Sequence, residues 1–304
     1  MDITEIVIIS GKGGTGKTSI TAALAVLAGK AAVADCDVDA ADLHLVLGPK
    51  VDHRESFISG NEAVIRSGDC TDCGYCLDLC RFDAIQRNEK GELFVDPVGC
   101  EGCGVCVHFC PEGAVDFPER ECGEWYRSET RVGPMVHARL KPGGENSGKL
   151  VTTVRGEARR LAEDQGLDLV LVDGPPGIGC PVIASLTGAS LVLAVTEPTL
   201  SGAHDLERVL SLTRHFKIPT AVCVNKWDLN PEMADTIEAS ASAAGAFSAG
   251  RVRYDKAVTA AQVSAGAVTE APGGATEDIR LLWNRLRTIG SEHGLYFTDP
   301  TQVG

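Results

Sequence analysis

Twelve cysteines stand in a chain of 304 residues, and eight of them fall into two blocks of one spacing. Cys70, Cys73, Cys76 and Cys80 follow C-x2-C-x2-C-x3-C, and Cys100, Cys103, Cys106 and Cys110 repeat it thirty positions on. Thiolates in fours hold iron–sulfur clusters. C-x2-C pairs also suit zinc, but two three-plus-one blocks at a fixed repeat fit zinc poorly. A second chemistry lies near the start. Ser10-Gly11-Lys12-Gly13-Gly14-Thr15-Gly16-Lys17-Thr18 fits G-x-x-x-x-G-K-[ST] at every fixed position. Glycines there let backbone N–H groups close around phosphate, Lys17 is expected to reach the β- and γ-phosphates, and the Thr18 hydroxyl is expected on Mg2+. Carboxylates that could serve metal or water occur in Asp35-Cys36-Asp37-Val38-Asp39 and at Asp173, where an aspartate closing an apolar strand suits Mg2+. Asn225-Lys226-Trp227-Asp228 looks like a base-reading motif.

These residues need elements to position them. Ile6-Val7-Ile8-Ile9 reads as a buried parallel strand ahead of the loop. The stretch from Ser19 to Ala28 reads as a helix that Gly29 stops. Further strands are predicted at 31–34, at 167–172 closed by Asp173, at 190–196, and at 218–224 closed by Asn225. Helices are predicted at 155–165, at 204–216, after Asn230-Pro231, and over a last segment capped by Thr276-Glu277 and ended by Gly290. Polar groups at the carboxyl ends of parallel strands face the ligand crevice. The aspartate run also suits a polar turn with an N-cap.

The length suffices for a full α/β core and one small extra domain. A formal charge of −14 argues against a broad surface for nucleic acid or anionic membrane. No apolar run is long enough to span a bilayer, and Met1-Asp2-Ile3-Thr4-Glu5 is not a signal peptide. A cytoplasmic location is therefore expected, and cysteines there point to metal ligation before disulfides.

The string Lys12-Gly13-Gly14-Thr15-Gly16-Lys17-Thr18 resembles the dual-lysine loop of the MinD/ParA/Mrp and nitrogenase iron protein group of ATPases. The resemblance implies that Lys12 crosses a dimer interface to the partner's nucleotide. The Asp-x-Asp run resembles switch I of that group, whose second aspartate orients the attacking water beside Mg2+, and this implies Asp37. Asp173-Gly174-Pro175-Pro176-Gly177 resembles switch II. In this group the asparagine of N-K-x-D contacts adenine, whereas in GTPases the aspartate reads guanine, so the likeness favours ATP. The cysteine blocks, with tails Phe82-Asp83-Ala84-Ile85 and Glu112-Gly113-Ala114-Val115, resemble bacterial two-cluster ferredoxins. That likeness implies one cluster on Cys70, Cys73, Cys76 and Cys110, and another on Cys80, Cys100, Cys103 and Cys106. Arg81 departs from the usual proline, while Pro111 is in place.

The resemblance covers nearly the whole chain. It implies an α/β fold, a mostly parallel sheet with helices on both faces, with a small α+β ferredoxin domain at 60–119 inserted between ATPase parts at 1–59 and 120–304. It implies nucleotide contacts from Gly11, Lys12, Gly13, Gly14, Thr15, Gly16, Lys17, Thr18, Ser19, Asn225 and Asp228. Magnesium is expected at Thr18, Asp37 and Asp173, and catalysis at Asp37, Lys12 and Lys17. The implied cofactors are ATP or ADP, Mg2+ and two [4Fe-4S] clusters. The implied partners are a second copy or a related ATPase, and a redox or metallocofactor-assembly protein. The basic residues Arg127, Arg131, Arg139, Lys141 and Lys149 form either such a partner's surface or a solvated connector. Three functions follow: ATP-gated electron transfer, cluster assembly as in the Mrp group, or a MinD-like switch with sensing clusters. The Mrp carriers use a late C-x2-C pair, and only Cys223 lies beyond Cys180. The tail at 291–304 holds no basic amphipathic helix of the kind that anchors MinD. Cys180 lies seven positions after Asp173, the offset of a cluster ligand in the nitrogenase iron protein. Cys122 and Cys180 of two subunits are therefore candidates for a bridging cluster, with two buried thiols as the alternative.

Overall fold

The computed structural model of the chain describes residues 3–144 and 146–297. It divides into two compact units. One comprises residues up to 54, 125–138 and those from 147; the other comprises 55–124 and 139–146. The second unit thus extends past 60–119 at both ends and takes in a later return of the chain.

In chain order the first elements are β1 (Thr4–Ser10), α1 (Lys17–Ala28), β2 (Ala32–Asp35), α2 (Leu43–Leu47) and β3 (Lys50–Asn61). Short elements follow: β4 (Val64–Ile65), α3 (Tyr75–Leu79), β5 (Ile85–Arg87), β6 (Leu93–Val95), α4 (Val105–His108) and β7 (Val115–Asp116). Then come β8 (Glu119–Thr130), β9 (Gly133–Leu140), α5 (Ser147–Gln165), β10 (Leu169–Pro176), α6 (Cys180–Leu186) and β11 (Leu191–Thr196). The chain closes with α7 (Leu200–His215), β12 (Thr220–Asn225), α8 (Pro231–Ala243), β13 (Phe247–Val252), α9 (Lys256–Val263) and α10 (Gly274–Glu292).

The main sheet has the order β13-β12-β11-β1-β10-β2-β9-β8-β3. Every pairing from β13 through to β9 is parallel. All seven residues of β1 are buried, which requires cover on both faces of the sheet. Ile6 and Ile8 join Val33, Leu171 and Leu193 in one core with Leu24, Leu43, Leu282 and Leu286 of α1, α2 and α10. Each such side chain, fully buried, contributes roughly 1.5–3 kcal/mol.

Several expectations shift. The segment 121–140, expected to be either a partner surface or a connector, supplies two long strands joined by a two-residue turn at Arg131-Val132. The helix expected at 155–165 begins at Ser147, because Leu150, Val151 and Val154 extend the buried stripe of Ala158 and Ala162. The last helix starts after Gly273 and runs through Gly290 to Glu292. Thr276 is not its cap: its hydroxyl donates to the carbonyls of Val268 and Ala271, both at 2.8 Å. Asn230 does cap α8, accepting from Met233 N at 3.2 Å. Residues 298–304 of the tail, Met1, Asp2 and Glu145 lie outside the described residues.

The second unit bears its duplication in the backbone. Positive φ occurs at Asp72 and Gly102, at Gly74 and Gly104, and at Asp83 and Gly113, each pair thirty positions apart. Gly74 and Gly104 precede α3 and α4 in the left-handed conformation that glycine adopts without steric cost and that aspartate, as at Asp72 and Asp83, also visits. Antiparallel pairs β4–β7 and β5–β6 complete the unit around Ala63, Ala84, Cys100 and Val115.

Candidate functional site

The carboxyl ends of β1, β2, β10, β12 and β13 surround a cavity of about 660 Å3. Its wall includes Gly13, Gly14, Thr15, Gly16, Lys17, Thr18 and Ser19 from the loop and α1. Burial of β1 aims the loop, and glycines let it close. Gly16 has φ +89°, and a Cβ there would lie 2.3 Å from Asn225 Nδ2. Gly11 packs on α7, where a Cβ would stand 2.8 Å from backbone atoms of Asp205, so it stands off the cavity.

Asp173 is fully buried and does not itself line the cavity, but three side chains converge on it. Lys17 Nζ donates to its Oδ1 at 2.9 Å, Thr18 Oγ1 to its Oδ2 at 2.8 Å, and Thr21 Oγ1 to its Oδ1 at 2.9 Å. Asp37 Oδ2 lies 3.8 Å from Lys17 Nζ. The structure therefore gathers all the expected magnesium residues, Thr18, Asp37 and Asp173, around Lys17. Thr21 was missed, although Lys17 and Thr21 share a helical face at i, i+4. Burial pulls the Lys17 ammonium down, but Asp173, Asp37 and Asp35 outweigh it and hold it above its ordinary value. Burial pushes the Asp37 carboxyl up to about 6, with Lys17 opposing and Asp173 adding. Asp35 is fully buried, and burial and Asp173 raise its pKa. It accepts from the N–H groups of Asp37 and Leu43, both at 3.2 Å, so it shapes the turn, while Asp39 and Asp42 line the cavity.

The far wall was not foreseen. Arg253, Tyr254 and Asp255, which follow β13, and Val258 and Gln262 of α9 also line the cavity. Their signal was positional: they follow the carboxyl end of another parallel strand. Of the base-reading motif, Asn225 lines the cavity but donates from Nδ2 to Thr15 O at 2.7 Å, bracing the loop. Asp228 stands off the wall and accepts from Tyr254 N at 2.6 Å. Lys12 also stands off, bonded to Ser201 Oγ at 2.9 Å and Glu197 Oε1 at 2.6 Å. Ser19 Oγ accepts from Gln262 at 2.9 Å.

The chain fits a nucleotide on its own evidence. Thr15 Oγ1 is buried in the cavity wall with no hydrogen-bond partner, and a phosphate oxygen is the acceptor it lacks. Beyond Gly13 and Gly14 an added Cβ would meet open space.

In the second unit two small cavities collect the cysteines. One is lined by Cys70, Cys73, Cys76 and Cys110, the other by Cys80, Cys100, Cys103 and Cys106. Each cavity thus takes three cysteines from one block and the last from the other. Ala114 N donates to Cys110 Sγ at 3.3 Å. Burial, then Cys100 and Cys103, push the Cys106 thiol up to about 11. A positively charged metal core is what ionises such thiols together. Among the described residues no three His, Cys, Asp or Glu converge on a point fit for one metal ion. In a four-iron cluster each thiolate takes a different iron, so sulfurs around a cavity fit it.

Cys122 does not suit a shared site: it is 1% exposed and donates to Ser59 O at 3.0 Å. Cys180 is exposed at the start of α6. Most of the basic stretch is engaged within the chain. Arg131 pairs with Glu270 at 2.6 Å and donates to the carbonyls of Val46 and Leu47; Arg127 pairs with Glu157 at 2.9 Å, and Lys141 with Glu121 at 3.0 Å. Among the described residues no helix is long and apolar enough to cross a membrane.

A phosphate-binding loop at the end of a buried parallel strand, with Lys17 and Thr18 on the Asp173 carboxylate, defines a phosphate-loop nucleotide-binding protein. The chain belongs to the CobQ/CobB/MinD/ParA nucleotide-binding family, whose domain matches residues 6–266. MJ0578 of Methanocaldococcus jannaschii, an uncharacterised protein, is 37% identical over 232 residues, 75% of this chain and 80% of that one. MJ0579 of the same organism is 26% identical over 230 residues, 74% and 81% of the two chains. The fold is that of the septum site-determining protein MinD of Pyrococcus horikoshii, solved with Mg-ADP, at a TM-score of 0.57 and 16% identity, covering 96% of this chain and 98% of that one. A shorter match, 44% identical over 74 residues, is to one component of the Na(+)-translocating ferredoxin:NAD(+) oxidoreductase complex of Acetobacterium woodii, 24% of this chain and 22% of that one. Another, 37% identical over 46 residues, is to the PorD component of pyruvate synthase from M. jannaschii, 15% of this chain and 54% of that one.

Proposed function

We propose that the chain is a Mg2+-dependent ATPase that carries two [4Fe-4S] clusters and couples nucleotide state to electron transfer. The observation that carries this reading is the exchange of the last cysteine between the two cavities, the ligand pattern of a two-cluster ferredoxin. The short matches to components of redox enzymes support it. Cys70, Cys73, Cys76 and Cys110 hold one cluster; Cys80, Cys100, Cys103 and Cys106 hold the other. Bound clusters supply one-electron chemistry, and bound Mg2+ neutralises phosphate charge.

In the ATPase unit the backbone N–H groups of the loop bind the phosphates. Lys17 exchanges its bond to Asp173 for the transferring phosphoryl group and offsets its charge. Thr18 and Asp173 hold the metal. Asp37, as carboxylate, orients the attacking water. Val252 to Asp255, which line the cavity, would take the adenine. Asp228 does not line the cavity and its Oδ1 accepts from Tyr254 N, which favours adenine over guanine. The sequence lacks a late C-x2-C pair, and Cys223 is buried in the core, which weakens the assembly reading.

Protein prepared without oxygen is expected to hold about eight iron atoms per chain. Its reduced-state magnetic resonance spectrum or midpoint potential should differ between ATP and ADP. Zinc as the sole metal overturns the clusters; a spectrum and potential blind to nucleotide overturn the coupling.

A further inference from the structure

We infer that Glu197 is a positioning residue that latches Lys12 in a retracted state and so sets how readily ATP drives self-association. The inference rests on the reading of Lys12 as the group that meets a second nucleotide in an ATP-bound dimer. Glu197 follows β11 at its carboxyl end. Its Oε1 holds Lys12 Nζ at 2.6 Å, and its Oε2 lies 3.4 Å from Lys226 Nζ. Ser201 Oγ, in the first turn of α7, accepts from the same Lys12 ammonium at 2.9 Å. Lys226 is itself tied to the phosphate loop, donating to Gly14 O at 3.0 Å. One carboxylate therefore joins the loop lysine to the lysine of the base motif.

The backbone beneath Lys12 is also held. Ser10 Oγ donates to Lys12 O at 2.8 Å, and Gly11 lies so close to Asp205 that no larger residue fits. A change of partner for Lys12 therefore falls on its side chain rather than on this backbone. At 30% and 19% exposure, the Lys12–Glu197 pair is partly withdrawn from water, where a charge-assisted bond is stronger than on an open surface. Two lysines around Glu197 overcome the effect of its burial and keep it a carboxylate. To reach a nucleotide elsewhere, Lys12 must give up both Glu197 and Ser201. Dimerisation thus carries the cost of opening one latch in each subunit.

The test is light scattering of the full chain with Mg2+ and a non-hydrolysable ATP analogue across protein concentration. Glu197→Gln keeps the shape and removes the charge. It is expected to lower the concentration for half-dimerisation by about tenfold. Ser201→Ala, which leaves Glu197 and Lys226 in place, should shift it less and in the same direction; it carries the test if Glu197→Gln folds poorly. In a Lys12→Ala background neither substitution should change dimerisation further, whereas a general loosening of the fold would act there too. Equal dimerisation of the parent and both variants overturns the latch and leaves the dimer standing. A parent chain that stays monomeric overturns the reading of Lys12 on which the latch rests.

Discussion

At the scale of single residues, Lys17, Thr18 and Thr21 converge on the Asp173 carboxylate, and Asp37 lies 3.8 Å from the Lys17 ammonium. Lys17 is nearly buried among carboxylates, so removing its charge leaves Asp173 without its strongest partner. Lys17→Ala should abolish ATP hydrolysis and most nucleotide binding. Asp37→Ala should lower turnover at least a hundredfold while leaving binding within a few-fold, if Asp37 has the proposed role on the attacking water rather than on the bound phosphates. Phosphate release and calorimetric titration separate the two. Turnover in Asp37→Ala within threefold of the parent would remove Asp37 from the catalytic step. Lys17 and Thr18 were legible because their spacing from the glycines is a local property. Thr21, and the engagement of Asn225 with Thr15 O, were not, since the latter joins residues 210 positions apart.

At the scale of elements, β8 and β9 carry a group that the sequence did not single out. His137 on β9 stacks on His44 of α2, with ring centroids 5.8 Å apart, and on Tyr126 of β8 at 4.9 Å. Ser128 Oγ lies 3.1 Å from its Nε2. Burial, then His44, lowers its pKa to about 4. An unfolded histidine titrates near 6.5, so between those values the unfolded chain binds the extra proton. Stability should therefore be full above about pH 6.5 and fall as pH drops towards 4, by about 3 kcal/mol at most. Urea midpoints across this range should show a shallower fall in His137→Gln. An unchanged slope in that variant would assign the acid loss to other groups. The strands themselves escaped sequence reading because their charged and polar residues find partners across the fold, as Arg127 of β8 does with Glu157 of α5, and no local pattern shows this.

At the scale of the whole molecule, the residues lining the large cavity and the eight cysteines of the two blocks fall in different units. Cys73→Ser and Cys103→Ser should each remove about four iron atoms, because each takes one ligand from a different four-cysteine set. Neither should change ATP affinity by more than about twofold, since all residues lining the nucleotide cavity belong to the other unit. Loss of both clusters in either single variant would mean that the second unit folds only with both in place. Loss of ATP binding would mean that the units are not independent.

The sequence by itself determined the phosphate loop, the parallel strands that carry it and the duplicated cysteine blocks. Each is encoded by neighbours in the chain: glycines where φ is positive, apolar runs where a strand is buried, thiols at a repeat. Only the tertiary structure decided which distant groups meet. It gave Asp228 to Tyr254 N, sealed Cys122 against Ser59, built the far cavity wall from β13 and α9, and set Lys12 on Glu197. The reason is physical: spacing along the chain reports local backbone preference, whereas a side chain's partner is chosen by the packing of elements far apart in sequence.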